Sequence, residues 1–276
     1  MGGIIWIASY PKSGNTWMRA FLHNLLLDPP EPTRINELTQ FTLGDTHPMW
    51  YEQVSGRSIA GASHEELAKL RPLVHRVLTQ VFPDSVFVKT HMALTEIAGA
   101  PLITMDYTAG AIYIVRDPRD VAISSASHFG TDIDGAIEIM NSAQARTGFT
   151  ESNVPQYYGT WSQHVQSWTA MPHRALLIVR YEDMLTKPGP TFRKVAEFLG
   201  LKPPLERLQK AIRFSSFGEM KKQEEREGFI ERSDLSSAFF RAGKAGQWRD
   251  RLTPSQIEKI VADHGDVMRK FHYLKA

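Results

Sequence analysis

The chain has no cysteine among its 276 residues. That excludes disulfide staples, thiolate metal sites and cysteine nucleophiles together, and it agrees with a reducing, cytoplasmic setting. A large net charge is also missing: 32 Lys and Arg against 30 Asp and Glu leave +2. The surface as a whole offers nothing for a polyanion such as nucleic acid, so any anion site must be local. No window approaches the roughly eighteen apolar residues that a membrane span needs. The first apolar run, Ile4–Ile7, is only a strand long and has no basic region before it, so no leader peptide is expected. Repeats and low-complexity tracts are absent. No Asp, Glu and His cluster stands at metal-ligand spacing, and no metal is expected. What remains, 42% hydrophobic and 22% charged residues, describes one globular domain over residues 1–276.

Two common phosphate-binding patterns are lacking as well. The triphosphate loop G-x-x-x-x-G-K-[ST] needs its lysine after the second glycine, and the dinucleotide loop needs G-x-G-x-x-G. Here Lys12 precedes the single glycine of its turn, Gly14. The stretch Tyr10-Pro11-Lys12-Ser13-Gly14-Asn15-Thr16-Trp17 nevertheless lies between an apolar run and an amphipathic stretch through Met18, Phe21, Leu22 and Leu25. Strand, loop and helix in that order aim backbone N–H groups and a helix dipole at one spot. Lys12 adds a mobile charge, and Ser13, Asn15 and Thr16 add short donors. Such a site suits a phosphate or a group shaped like one.

Further apolar runs follow at Val86–Val88, Ala111–Val115 and Ala175–Val179. Amphipathic stretches separate them, starting near Ser63, Pro118 and Trp161 and at about residues 190, 204 and 253. Residues 28–62 read as irregular with at most short helices, residues 131–156 as mixed, and Lys221–Arg251 as a charged, glycine-punctuated segment that could serve as a lid. Continuous apolar strands alternating with helices predict an α/β fold with a central parallel sheet covered on both faces. Ligands of such sheets sit at the carboxyl ends of the strands. Lys12, Lys89 to His91, Arg116 and Tyr181 each follow a strand, so four strand ends aim chemistry at one rim.

The loop at Tyr10–Trp17 resembles the 5′-phosphosulfate loop, YPKSGTTW, of the cytosolic-type sulfotransferases, with Asn15 in place of a threonine. Three later blocks are similar in order and spacing. Arg116 followed by Ser124 resembles the 3′-phosphate signature. Ser215-Ser216-Phe217-Gly218-Glu219-Met220-Lys221 resembles T-S-F-x-x-M-K. Arg241-Ala242-Gly243-Lys244-Ala245-Gly246-Gln247-Trp248 resembles R-K-G-x-x-G-x-W, departing at Ala242, where only the backbone can contribute. The resemblance implies a sheet related to that of nucleotide kinases. It implies transfer of a sulfuryl group from 3′-phosphoadenosine-5′-phosphosulfate (PAPS) to an acceptor hydroxyl or amine.

By the same resemblance, Lys12, Ser13, Gly14, Asn15, Thr16 and Trp17 hold the 5′ end of the donor. Arg116, Ser124, Arg241, Ala242 and Gly243 hold its 3′-phosphate. Trp17, Tyr181, Ser215, Ser216 and Phe217 surround the adenine. His91, in Lys89-Thr90-His91, matches the family's K-T-H and is the candidate base, since a neutral imidazole can take a proton from a hydroxyl. Lys12 would stabilise the leaving phosphate oxygen, Lys89 the sulfuryl oxygens, and Ser124 would hold Lys12 aside until the acceptor arrives. Arg119 and Asp120 read as surface charges at a helix start.

The aromatics Phe41, Trp50, Tyr51, Phe129, Tyr157 and Tyr158 favour a small apolar or aromatic alcohol or phenol as acceptor. The family's dimer motif falls on Arg249, Thr253, Pro254 and Glu258. Pro254 removes a backbone donor there, which speaks against pairing by that route and leaves the oligomeric state open. Two other classes of protein could share parts of this pattern. A nucleotide kinase or nucleotide-binding regulator would need a Walker lysine and a strand ending in a magnesium-binding aspartate, and neither is present. A silent, donor-retaining binding module would be indifferent to loss of His91.

Overall fold

The computed structural model describes residues 2–275. The described residues form seven strands: β1 (Ile4–Ser9), β2 (Thr42–Gly44), β3 (Val86–Thr90), β4 (Glu96–Ile97), β5 (Ala100–Pro101), β6 (Thr108–Val115) and β7 (Leu176–Arg180). Five of them make one sheet in the order β2-β3-β1-β6-β7, and every pairing in it is parallel. β4 and β5 form a separate two-stranded antiparallel ladder.

Helices cover both faces. They are α1 (Asn15–Leu27), α2 (Leu38–Phe41), α3 (Pro48–Ser55), α4 (His64–Leu78), α5 (Pro118–Phe129), α6 (Ile133–Asn141) and α7 (Trp161–Thr169). After β7 come α8 (Tyr181–Thr186), α9 (Pro188–Phe198), α10 (Leu205–Phe214), α11 (Phe217–Glu227), α12 (Trp248–Arg251) and α13 (Pro254–Lys270). The period of two along β1 divides the core. Ile4, Trp6 and Ala8 join one cluster with Val74, Trp161, Val165 and Ile260 from α4, α7 and α13. Ile7 joins another with Phe21, Leu25, Phe192 and Leu208 from α1, α9 and α10. A strand buried on both faces needs the unbroken apolar run that the sequence carries.

Local chemistry sets the helix starts. The Ser63 hydroxyl accepts from the Glu66 N–H at 3.1 Å. Thr160 and Thr253 each form a capping box with the glutamine three residues on. Caps of this kind are worth about 1 kcal/mol each. Pro254 follows Thr253 as the first helical residue, where a missing N–H costs nothing.

Three stretches depart from the expectation. Residues 28–62 contain the edge strand β2, whose Thr42, Leu43 and Gly44 pair with Phe87, Val88 and Lys89. Residues 131–156 contain α6. The charged segment from Lys221 is helical as far as Glu227, so only residues 228–247 are an irregular cover.

β1 is the centre of the sheet. The chain moves to one side of it for β2 and β3 and to the other for β6 and β7. That reversal opens a crevice at the carboxyl end of β1, the place where open α/β sheets bind ligands.

Candidate active site

The turn after β1 is bent for close approach. Lys12 has φ +65° and Gly14 has φ +107°. A Cβ on Gly14 would stand 2.7 Å from Cδ2 of Tyr181, so the loop and the end of β7 can meet only through glycine. Asn15 turns its side chain inward, and Nδ2 donates to the Ile7 carbonyl at 2.8 Å. It braces the strand end, leaving its backbone N–H for a ligand. No side chain caps α1. The Ser13 hydroxyl and the Trp17 indole N–H are buried without partners. Uncapped helix and orphaned donors together make an anion seat.

Cations crowd this seat. Arg116, directly after β6, donates from Nη1 to the Lys12 carbonyl at 2.9 Å and from Nη2 to the Lys244 carbonyl at 3.3 Å. Its guanidinium lies 4.2 Å over the Tyr181 ring, and its Nε is buried without a partner. Lys12 Nζ rests 3.7 Å over the Phe239 ring. Burial first, and then the charges of Lys89, Arg116 and Arg241, lower the Lys12 pKa to about 7. A site that pushes a lysine so far is poised for a compensating anion.

His91 stands at the end of β3. Its Nδ1 lies 2.8 Å from the Ser9 carbonyl oxygen, and a carbonyl can only accept. The proton therefore sits on Nδ1, and Nε2 carries the free lone pair. Burial, followed by the charge of Lys89, holds the His91 pKa well below the ordinary imidazole value. The ring is neutral at neutral pH and basic at Nε2. Behind it, Tyr113 Oη and His164 Nδ1 are 2.8 Å apart, and His164 Nε2 donates to the His91 carbonyl at 3.1 Å.

A cavity of about 1040 Å³ joins these groups, with Lys12, Lys89, His91, Arg116, Ser124 and Phe217 among its walls. Trp17 and Tyr181 line it too, edge to face at 5.7 Å between ring centroids. Gly243, at φ +59°, lies so close that a Cβ would fall 2.3 Å from Cγ of Phe217. Arg241 and Ala242 close the same wall, with Arg241 Nη2 donating to the Ile123 carbonyl at 2.9 Å.

Several of the expected residues have contacts other than those expected. The Ser215 hydroxyl is fully buried and donates to the Ala211 carbonyl at 2.9 Å, one turn back on α10. Ser216 caps α11, accepting from the Glu219 N–H. Neither serine lines the cavity, and of that trio only Phe217 does. Ser124 lines it but makes no hydrogen bond to Lys12, whose ammonium lies on Phe239 instead. Arg119 and Asp120 are buried, not surface charges. Asp120 accepts from the Gly246 and Trp248 N–H groups, and Arg119 bonds Asp117 and the Tyr273 carbonyl. Of the six aromatics read as acceptor-side, Trp50, Phe129 and Tyr158 line the cavity. Tyr51 is core, and Phe41 stacks on His23 and Phe87.

Two residues in the walls carried no sequence signal. His128 on α5 faces Lys12 and Lys89, and burial followed by those charges lowers its pKa to about 3. Glu231, in the irregular cover, bonds both Arg19 and Lys89. Among the described residues, no group of three His, Asp or Glu side chains could hold a metal ion, and no helix is long and apolar enough to cross a membrane.

A parallel sheet with an anion loop, a cation cluster and a neutral imidazole at one rim is the frame of a group-transfer enzyme with an anionic donor. Residues 4–272 match the family model described as the sulfotransferase domain, and the chain belongs to that family. It is 26% identical to a guinea pig (Cavia porcellus) 3-beta-hydroxysteroid sulfotransferase, over 91% of this chain and 79% of that protein. It is 27% identical to sulfotransferase 1A1 of the dog (Canis lupus familiaris), over 95% and 82% respectively. In fold it is similar to retinol dehydratase, solved in complex with androsterone and inactive cofactor PAP. The TM-score there is 0.66 at 22% identity, over 96% of this chain and 80% of that one.

The reaction class follows from the family: PAPS-dependent sulfuryl transfer. The site fits that donor. Ser13, Trp17 and Arg116 present unpartnered buried donors, the glycines at 14 and 243 leave room where a Cβ would intrude, and like charges around Lys12 await an anion.

Proposed function

We propose that this chain transfers the sulfuryl group of PAPS to the hydroxyl of a small alcohol or phenol with an apolar or aromatic body, with His91 as the general base. PAPS supplies an activated sulfate ester. The loop from Lys12 to Trp17 holds its 5′ end, and Arg116, Ser124, Arg241 and the backbone of Ala242 and Gly243 hold its 3′-phosphate. Trp17, Tyr181 and Phe217 wall the adenine. Nε2 of His91 takes the acceptor proton, Lys89 serves the sulfuryl oxygens and Lys12 the leaving oxygen. Positioning and cation clamps do most of the work in such in-line transfers.

One observation carries the reading: Lys12, Lys89, His91 and Arg116, from the ends of β1, β3 and β6, line one cavity. Trp50, Phe129 and Tyr158 in its walls support an apolar acceptor body, while Asn153 and Gln156 beside them can bond a second polar group. The relatives named for hydroxysteroids support a hydroxyl acceptor.

Thermal shift with 3′-phosphoadenosine-5′-phosphate (PAP) against ATP with magnesium tests the donor. Stabilisation by PAP is expected, and stabilisation by ATP alone would favour a kinase. Sulfur-labelled PAPS with a panel of phenols, hydroxysteroids, sugars and amines then tests the acceptor. Label appearing only in sugars would overturn the acceptor reading.

A further inference from the structure

Glu231 lies on the irregular cover, far in sequence from the residues it meets. Its Oε2 is 2.9 Å from Nζ of Lys89, at the end of β3, and its Oε1 is 2.7 Å from Nη1 of Arg19, on α1. Arg19 is fully buried, and its Nε and Nη2 have no partner. Among the described residues Glu231 is therefore the one group that answers that guanidinium, and loss of the pair would strand a buried charge. The carboxylate is not loosely placed. Next to it, the Ile230 N–H donates to Asn36 Oδ1 at 3.0 Å, and Asn36 Nδ2 donates to the Gly228 carbonyl at 3.3 Å. Phe229 is buried against Phe239 and Phe240.

We propose that Glu231 is a positioning residue for Lys89: pinned by Arg19, its carboxylate fixes the Lys89 ammonium beside His91 and makes that placement depend on residues 228–247 lying over the cavity. The inference rests on the reading of Lys89 as the cation that serves the transferring group. A lysine on a flexible stem spreads its charge over many rotamers, and a fixed carboxylate selects one of them. Because the carboxylate arrives on the cover and its anchor sits on α1, Lys89 is aligned only when the cover is down. Glu231 is not a second base. Burial alone would raise its pKa, but the Arg19 and Lys89 charges outweigh burial and hold it far below the carboxylate range. A carboxylate so held takes no proton at neutral pH.

The charge of Glu231 also reaches its neighbours. Lys12 is faced by Lys89 from β3, by Arg116 after β6, by His128 from α5, and by Arg241 and Glu231 from the cover. Among these, Glu231 alone favours the charged form of Lys12, and it acts in the same sense on His91, which is faced by Lys89 and His164.

The test compares wild type, Glu231→Gln, Glu231→Asp, Lys89→Met and the Glu231→Gln/Lys89→Met double variant. PAP binding is measured by calorimetry, turnover with labelled PAPS and a simple phenol, and Lys89 acylation by acetic anhydride with mass spectrometry. Glu231→Gln should lower kcat by about 10-fold or more while PAP affinity stays within about 3-fold. It should speed Lys89 acylation and move the alkaline limb of the pH profile toward acid, and Glu231→Asp should recover part of each effect. The double variant should be no slower than Lys89→Met, because the two groups act as one unit. Multiplicative losses in the double variant, or unchanged Lys89 labelling in Glu231→Gln, overturn the proposal. If Glu231→Gln does not fold, the labelling rate in Glu231→Asp decides. A Lys89→Met chain that turns over like wild type overturns instead the reading of Lys89 beneath it.

Discussion

Nδ1 of His91 donates to the carbonyl oxygen of Ser9 at 2.8 Å, tying the end of β3 to the end of β1. That bond leaves Nε2 as the only basic atom of the ring. His91→Ala should lower kcat by about 10²–10⁴-fold, the usual size of a lost general base, with PAP affinity unchanged. The lowered His91 pKa fixes the sign of the pH dependence. A general base is inactive only when protonated, so with His91 in that role the acid limb of kcat should lie below about pH 6.5, the ordinary imidazole value. A pH–rate series checks this, and a limb at or above that value would contradict the assignment.

Lys12 gives a binding signature. Its pKa is about 7 in the protein alone, depressed first by burial and then by Lys89, Arg116 and Arg241. A bound anion favours the ammonium form and drives the pKa back up. PAP should therefore take up a fraction of a proton when it binds at roughly pH 8, and less at roughly pH 6, where Lys12 is already charged. Calorimetry in two buffers of different ionisation enthalpy measures the uptake. Lys12→Arg keeps a charge that cannot titrate and should abolish it. Equal heats in both buffers for wild type would show that Lys12 does not meet the anion.

The fold and the gathering of Lys12, His91 and Arg116 at one cavity rim were legible because both are written locally. Lys12, His91 and Arg116 each stand at or just beyond the end of an apolar run, and a parallel sheet sends all such ends to one edge. β2 was not legible: three residues, Thr42–Gly44, carry no pattern, and pairing with β3 is what makes them a strand. Ser215 shows a different limit. Its identity suited a nucleotide contact, but helix register turns its hydroxyl back to Ala211, as serine commonly does on a helix. Asp120 and Glu231 were invisible for a third reason. Their partners, Gly246 and Trp248 for one and Arg19 and Lys89 for the other, lie more than a hundred residues away in sequence. Only the folded chain brings a carboxylate to a distant N–H or cation.

The two glycines at the cavity wall should resist substitution for steric reasons. Gly14→Ala places a methyl 2.7 Å from Tyr181 at φ +107°, and Gly243→Ala places one 2.3 Å from Phe217 at φ +59°. Strain of about 1–3 kcal/mol at such positions corresponds to about 5–150-fold in PAP affinity. Gly218→Ala is the control. Nothing lies within 4 Å of its Cβ, and it sits inside α11. Alanine there should leave binding intact and raise stability by up to about 1 kcal/mol. Calorimetric titration of the three variants with PAP separates the outcomes.

Asp120 offers the sharpest test of how the cover is held. One of its oxygens accepts from the Gly246 N–H at 2.6 Å and the other from the Trp248 N–H at 3.1 Å. Farther up the same segment, Glu224 accepts from the N–H groups of Phe239 and Phe240 at 2.6 and 2.8 Å. Arg241, Ala242 and Gly243 are thus suspended between two buried carboxylates, with no regular secondary structure of their own. Asp120→Ala leaves two N–H groups without acceptors, each costing about 1–3 kcal/mol. Unfolding stability should drop by that order, and hydrogen exchange should quicken at Gly246 and Trp248 before it changes in β1 or β6. PAP affinity should fall with the loss of order at Arg241 to Gly243, while His91 keeps its bond to Ser9. Asp120→Asn retains one acceptor oxygen and should fall between the two. If exchange at Gly246 stays at the wild-type rate in Asp120→Ala, the cover is held by something other than this carboxylate.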